Sequence, residues 1–384
     1  MATNTRIEWA DATINPLVGC SKVSPACDHC YAERMAARMV HNPAVAQRYA
    51  GTVAAHGKWT GKINLRASEM EKALRWRKPQ RIFVGSMSDL FHPSVPDEHL
   101  DQVFACILAS HTLANCANHT FMLLTKRPDR MREYLSAGPS ALIERWAKAG
   151  DGWIILDNED VCFSETIESI VSWGPQLDYK PWAYTYQLFP LPNVWLGTTV
   201  EDQARADERI PELLATPGAL HFVSCEPLLG PVDLSPWLQE ILHEDEVGVE
   251  NGNQTLPMEL GMPCMHDPWI FGLRWVIAGG ETGPGARPSH PDWFRSLRDQ
   301  CKAHGVPFFF KSWGEWGFNG WDGTHALSSS GALRTIGRTE DTHGDWPCAK
   351  MGKARSGRLL DGVEQNAIPA RVDARELPLL GAMG

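Results

Sequence analysis

The chain has 384 residues, 43% of them hydrophobic, and a formal net charge of −10. That length supports one large domain with insertions or two modest ones. The acidic balance excludes an extensive non-specific grip on nucleic acid, which needs many Lys and Arg against phosphates, and leaves room only for a local basic groove.

The opening stretch MATNTRIEWADATINP has no basic start followed by an apolar run, so no secretory leader is expected. No apolar run approaches the ~20 residues of a membrane span. The expectation is a cytoplasmic protein without a membrane partner, whose cysteines stay reduced.

In chain order, TINPLVG (13–19) reads as a short first strand, followed by the cysteine-bearing stretch GCSKVSPACDHCYAERM (19–35). Six near-continuously apolar runs follow: RIFVGS (81–86), FMLLT (121–125), VWLGTTV (194–200), HFVSC (221–225), WVIAGG (275–280) and PFFFK (307–311). Strands buried on both faces carry this pattern. Helical segments are predicted between them at 97–111, 128–135, 202–215 and 291–304, with Asp97 and Asp202 placed as N-caps. The alternation predicts an α/β protein: a partial TIM-type βα barrel of six to seven parallel strands over 1–316. Two loop insertions interrupt it, at about 136–192 and 236–272. A Gly-rich C-terminal extension occupies 317–384, with a β-hairpin expected within 350–362.

Polar residues gather where each run ends: Ser86, Ser88 and Asp89; Lys126 and Arg127; Glu201; Glu226; Glu281; Lys311. In a βα barrel the C-terminal strand ends form the active face. Asp89 is a candidate acceptor for an ammonium group, and Ser86 and Ser88 for hydroxyl contacts. Lys126 and Arg127 suit a carboxylate or phosphate. Glu201, Glu226 and Glu281 would add acid groups to the same face or pair with its cations. The glycines of GGETGPGARPSHPDW (279–293) lack the G-x-G-x-x-G spacing of a dinucleotide site and read as points of close approach or turning.

Cys20, Cys27 and Cys30 follow C-x6-C-x2-C, three of the ten cysteines in the chain. Three thiolates can ligate three irons of a [4Fe–4S] cluster and leave the fourth open. The alternative is a closed structural zinc site with His29 or His41 as the fourth ligand. That would make a zinc-stabilised accessory or nucleic-acid-binding protein without catalysis. A metal-independent hydrolase using Glu201, Glu226 or Glu281 is a third possibility.

A three-cysteine loop after a short first strand, followed by a βα barrel, resembles the radical S-adenosylmethionine superfamily. More closely, the chain resembles a phage and prophage family of unknown function named for its three-Cys motif. The matching stretches include IEWADATINPLVGCSKVSPACDHCYAERMA, IFVGSMSDLFHPSVPD, LLTKRPDRM, FVSCEPLLGPVDL and VPFFFKSWGEW. The commonest superfamily spacing is C-x3-C-x2-C; here the first gap is three residues longer and His29 holds the place of an aromatic residue. The resemblance implies a [4Fe–4S] cluster on Cys20, Cys27 and Cys30, S-adenosylmethionine as cofactor and a reducing electron donor, and it leaves room for a partner protein. The substrate, whether nucleotide, nucleic acid or peptide, is left open, and the setting is a bacterial or phage-infected cell.

Overall fold

The computed structural model describes residues 5, 7–113, 115–154, 162–172, 188–238, 272–317, 325–336 and 345–371. Seven strands form one sheet: β1 (Ala12–Ile14), β2 (Arg81–Val84), β3 (Thr120–Thr125), β4 (Val194–Thr199), β5 (Leu220–Cys225), β6 (Trp275–Gly279) and β7 (Phe308–Ser312). They lie in chain order, every neighbouring pair parallel, and the sheet curls into a half-barrel. The mixed α/β, partial TIM-type expectation holds.

Strand alternation sorts the side chains onto two faces. Ile82, Phe121, Leu123, Val223, Val276 and Phe310 belong to the core shared with the helices. Phe83, Met122, Trp195, Phe222, Trp275 and Phe309, joined by Trp9, fill the inside of the curl. Gly197 lets this plug close: a Cβ there would stand 2.4 Å from the Phe222 ring. Replacing one of these rings by Ala costs roughly 3–5 kcal/mol.

The principal helices are α1 (Tyr31–Met39), α2 (Asp97–Thr112), α3 (Pro128–Leu135), α4 (Pro139–Gly150), α5 (Phe163–Ser172), α6 (Gln203–Leu214) and α7 (Pro291–Ala303). The four predicted helices are α2, α3, α6 and α7. Asp202 caps α6 as expected, accepting from the Arg205 N–H at 2.8 Å. Asp97 does not cap α2: Pro96 is the N-cap, and the Asp97 carboxylate pairs with Arg130 and Arg145 instead. The expected insertion at 136–192 carries α4 and α5; its stretches 155–161 and 173–187 lie outside the described residues, as does 239–271 of the second insertion. No helix among the described residues is long and apolar enough to cross a membrane.

The region after β7 holds more structure than its glycines suggested. Strands β8 (Trp316–Gly317), β9 (His325–Leu327), β10 (Leu333–Thr335) and β11 (Trp346–Lys350) form an antiparallel sheet in the order β8-β11-β9-β10. The hairpin falls at β12 (Leu359–Leu360) and β13 (Val363–Glu364), later than the 350–362 expected. Its turn uses Asp361 and Gly362, both at positive φ (52° and 79°). Beyond it, Phe310 N–H donates to Gln365 and Ala367 N–H to Phe308, so the tail covers the free edge of β7.

Candidate functional site

A cavity of about 230 Å³ opens at the C-terminal ends of the parallel strands. Consecutive strand ends line it: Gly85, Ser86, Ser88 and Asp89 after β2, Leu124 to Arg127 at β3, Thr199 at β4, Glu226 after β5, and Gly280 to Thr282 after β6. The loop after β1 contributes Cys20, Cys27 and Cys30. The sequence expectation that these strand ends share one face is thereby met for all but two of the acid and basic candidates. Glu201 lies behind the wall, and Lys311 reaches the cavity through Glu226.

The cysteine loop is built locally. Gly19, at φ 102°, lets the chain turn out of the barrel, where a Cβ would meet the Lys62 carbonyl at 2.1 Å. Pro25–Cys27 forms one short 3-10 turn, and Cys30 is the N-cap of α1. All three are free, half-buried thiols. Burial, then the charge of Asp89, pushes the Cys20 thiol up to about 11, against the opposing pull of Arg127. A cation bound at the sulfur would reverse that balance.

Two clamps hold the loop against the barrel. On one side Arg127 donates to the Ser21 carbonyl (3.1 Å), the Ser21 hydroxyl (3.0 Å) and Asp89 (2.8 Å), and its Nη1 stands 4.0 Å from Cys20 Sγ. His92 Nε2 also meets the Ser21 hydroxyl, at 2.7 Å. On the other side the GGETGPG stretch grips the loop. Arg287 donates to the Pro25 carbonyl at 2.9 Å and to Glu281 at 2.6 Å. Arg34 of α1 donates to the Thr282 carbonyl at 2.8 Å. Gly283 and Gly285 leave space for Arg34 and His29: a Cβ at either would stand 1.5 Å and 2.7 Å from those side chains. The glycines are points of close approach, as expected, but to this chain's own cysteine loop.

The carboxylates differ in what they leave open. Asp89 accepts from Phe91 N–H, Thr125 Oγ1, Lys126 N–H and Arg127 Nη1, at 2.7 to 3.1 Å. A carboxylate has about four acceptor sites, so Asp89 is saturated and braces the loop. Glu281 takes three bonds from Arg287. Glu201 is fully buried and pairs with Arg209 at 3.0 Å. Its other oxygen meets the Ala26 N–H at 3.4 Å, beneath the cysteine loop. Glu226 pairs with Lys311 at 2.5 Å through one oxygen. Burial works against the Lys311 charge, yet Glu226 holds its pKa above the usual value.

Ser86 donates to Asn15 Oδ1 and Ser88 to the Leu17 carbonyl, which leaves their lone pairs available. The Lys126 ammonium has no partner among the described residues. Among the candidates the sequence offered, those with capacity for a ligand are therefore the three thiols, Ser86, Ser88, Lys126 and Glu226. Sequence reasoning missed the bracing roles of Arg127, Arg34 and Arg287. His290, just before a proline, is 2% exposed and caps α7 by accepting from Asp292 N–H. Only the adjacency of such residues to motifs hinted at these jobs.

The donor set fits a soft metal: three thiols on one cavity wall. Among the described residues, no three His, Cys, Asp or Glu side chains converge tightly enough to hold a single ion.

No curated protein and no solved structure matches the chain. A family described as a protein of unknown function, DUF5131, matches residues 4–369, and the chain belongs to that family.

Proposed function

We propose that this chain is an iron–sulfur enzyme of the radical S-adenosylmethionine type. The observation that carries the proposal is the placement of Cys20, Cys27 and Cys30 together on the cavity at the C-terminal mouth of the half-barrel. Those three residues would hold a [4Fe–4S] cluster with one iron left for S-adenosylmethionine. When bound, the group supplies one-electron reductive cleavage of S-adenosylmethionine and hence a 5′-deoxyadenosyl radical for hydrogen abstraction.

The protein's own part is positioning and shielding. Arg127 and Arg287 fix the loop that carries the thiols. Lys126 offers its ammonium to a carboxylate or phosphate, and Ser86 and Ser88 offer hydroxyls to a polar ligand group. The aromatic plug below excludes water from the cavity floor. The proposal includes a reducing electron donor and a cytoplasmic setting in a bacterial or phage-infected cell.

Anaerobic purification and reconstitution test this reading. Iron and sulfide in equal amounts, with an absorbance band near ~400 nm, are expected. Both disappear in the triple Cys20→Ser, Cys27→Ser, Cys30→Ser variant. With dithionite and S-adenosylmethionine, 5′-deoxyadenosine accumulates. Stoichiometric zinc in place of iron, or a loaded protein that forms no 5′-deoxyadenosine, rejects the proposal.

A further inference from the structure

The net charge of the whole chain hides a strong local asymmetry. Between Tyr31 and Arg66 there are six Lys and Arg residues and one acid, Glu33, in a protein of net charge −10. This segment folds as a small unit against the mouth of the half-barrel. Its own apolar cluster joins Ala32, Ala36 and Tyr49 to Val18 and Met87, with Val53 and Trp59 packed on it. Its single acid is consumed internally: Glu33 is buried and accepts from Lys58 at 3.1 Å and from the Trp59 N–H at 3.0 Å. Arg48 and Arg66 are in turn paired with Glu69, just beyond the segment.

The segment is continuous with the cavity. Tyr31, Ala32 and Trp59 form part of the cavity wall, and Tyr31 is 54% exposed there. Arg38 and Lys62 are exposed and have no acidic partner among the described residues. A second concavity of about 670 Å³ sits within the same segment, edged by His41 and His56. In the cavity itself the acids Asp89 and Glu281 are neutralised by Arg127 and Arg287, and Glu226 faces Lys311. Lys126 remains as an uncompensated cation on its wall.

We infer that the 31–66 segment is a docking surface for a nucleic-acid strand, which it delivers to the cavity mouth. This rests on the proposed function for the cavity and names the substrate class of that site. Exposed cations unpaired by acids attract a chain of phosphates, whereas a small neutral substrate gains nothing from them. An exposed tyrosine beside the reactive centre suits stacking on a base, which a single strand presents freely and an acidic peptide lacks. The cavity is sized for one flipped or unstacked residue of a polymer rather than for a duplex.

The test is binding of a labelled, mixed-sequence single-stranded oligonucleotide to the full chain, by anisotropy over a salt series. Wild-type protein should bind, with affinity falling linearly in log salt. Arg38→Glu with Lys62→Glu should weaken binding at least roughly tenfold and flatten the slope by about 1.4, at ~0.7 per lost phosphate contact. Lys78→Glu with Lys302→Glu, at the opposite rim of the barrel, should change neither. Unchanged melting of both double variants excludes a folding artefact. The inference is overturned by absence of wild-type binding, by equal losses in both double variants, or by equal binding of poly-glutamate. The assay needs no cluster or radical chemistry, so its failure is distinct from a failure to form 5′-deoxyadenosine.

Discussion

Arg127 and Asp89 form a buried ion pair at 2.8 Å, and the same guanidinium reaches the carbonyl of Ser21, next to Cys20. Two strand ends thus set the position of the first cysteine. Both partners are nearly inaccessible, so neither charge has water to fall back on. Arg127→Ala is expected to destabilise the fold by about 3–5 kcal/mol, because Asp89 is left buried and unpaired. Arg127→Lys retains the charge but not the fork and should fall between. Urea unfolding measures both, and an Ala variant as stable as wild type would refute the brace.

The clamp on the other side depends on missing side chains. Gly283 sits at φ 94°, and a Cβ there meets Arg34 Nη1 at 1.5 Å. Gly283→Ala should cost about 1–3 kcal/mol through the left-handed backbone. It should also displace Arg34 from the Thr282 carbonyl. Limited proteolysis should then cut faster within 20–30, whereas Gly138→Ala, also at positive φ but with open space around it, should not change that rate.

Glu201 was read from the sequence as a possible ligand group, but its buried pair with Arg209 makes it a support. Glu201→Ala is expected to cost about 3–5 kcal/mol by stranding Arg209. Glu201→Leu combined with Arg209→Met should cost much less, since neither charge then remains. Chemical denaturation of the two variants separates these outcomes.

Acid should weaken the protein through buried histidines. Burial pushes His99 down to about 4, and His111 and His119 are lowered for the same reason. An unfolded histidine titrates near ~6.5, so between that value and about 4 the unfolded chain binds more protons. Stability from neutral His99 is therefore complete above pH ~6.5 and lost as pH falls toward 4, on the order of 3 kcal/mol. Urea midpoints from pH 7.5 to 4.5 should fall, and His99→Gln should flatten that slope. An unaltered slope in the variant would contradict this account.

The C-terminal tail protects an edge. Gln365 and Ala367 pair with β7, and Trp275 donates its indole N–H to the Ala367 carbonyl at 3.0 Å. Truncation after Gly362 exposes the unpaired side of β7, a template for strand addition. The truncated chain is expected to form soluble aggregates on size exclusion with light scattering, while the full chain does not.

The parallel strands were legible because burial on both faces leaves an unbroken apolar run, which the sequence cannot conceal. The helices α2, α3, α6 and α7 were legible from the segments between those runs. Asp97 shows the limit: a residue type that caps helices was used for a long-range ion pair with Arg130 and Arg145. The β8–β11 sheet was missed because its short strands are held by pairing across distant segments. The cysteine trio was visible as spacing, while its clamps were not, since Arg127 lies 107 positions from Cys20 and Arg287 lies 262 from Pro25.

The sequence alone determined the periodic apolar runs, hence a parallel sheet with its polar residues at one end, and the cluster of thiols before the first helix. These are local properties: a strand's burial and a cysteine's spacing are written in consecutive residues. Only the tertiary structure decided which polar groups are spent on the fold and which remain for a ligand. Asp89, Glu201, Glu226 and Glu281 look alike in the sequence, but a carboxylate's capacity depends on which donors the fold brings to it. That choice is made across strands, by charges and hydrogen bonds between residues far apart in the chain.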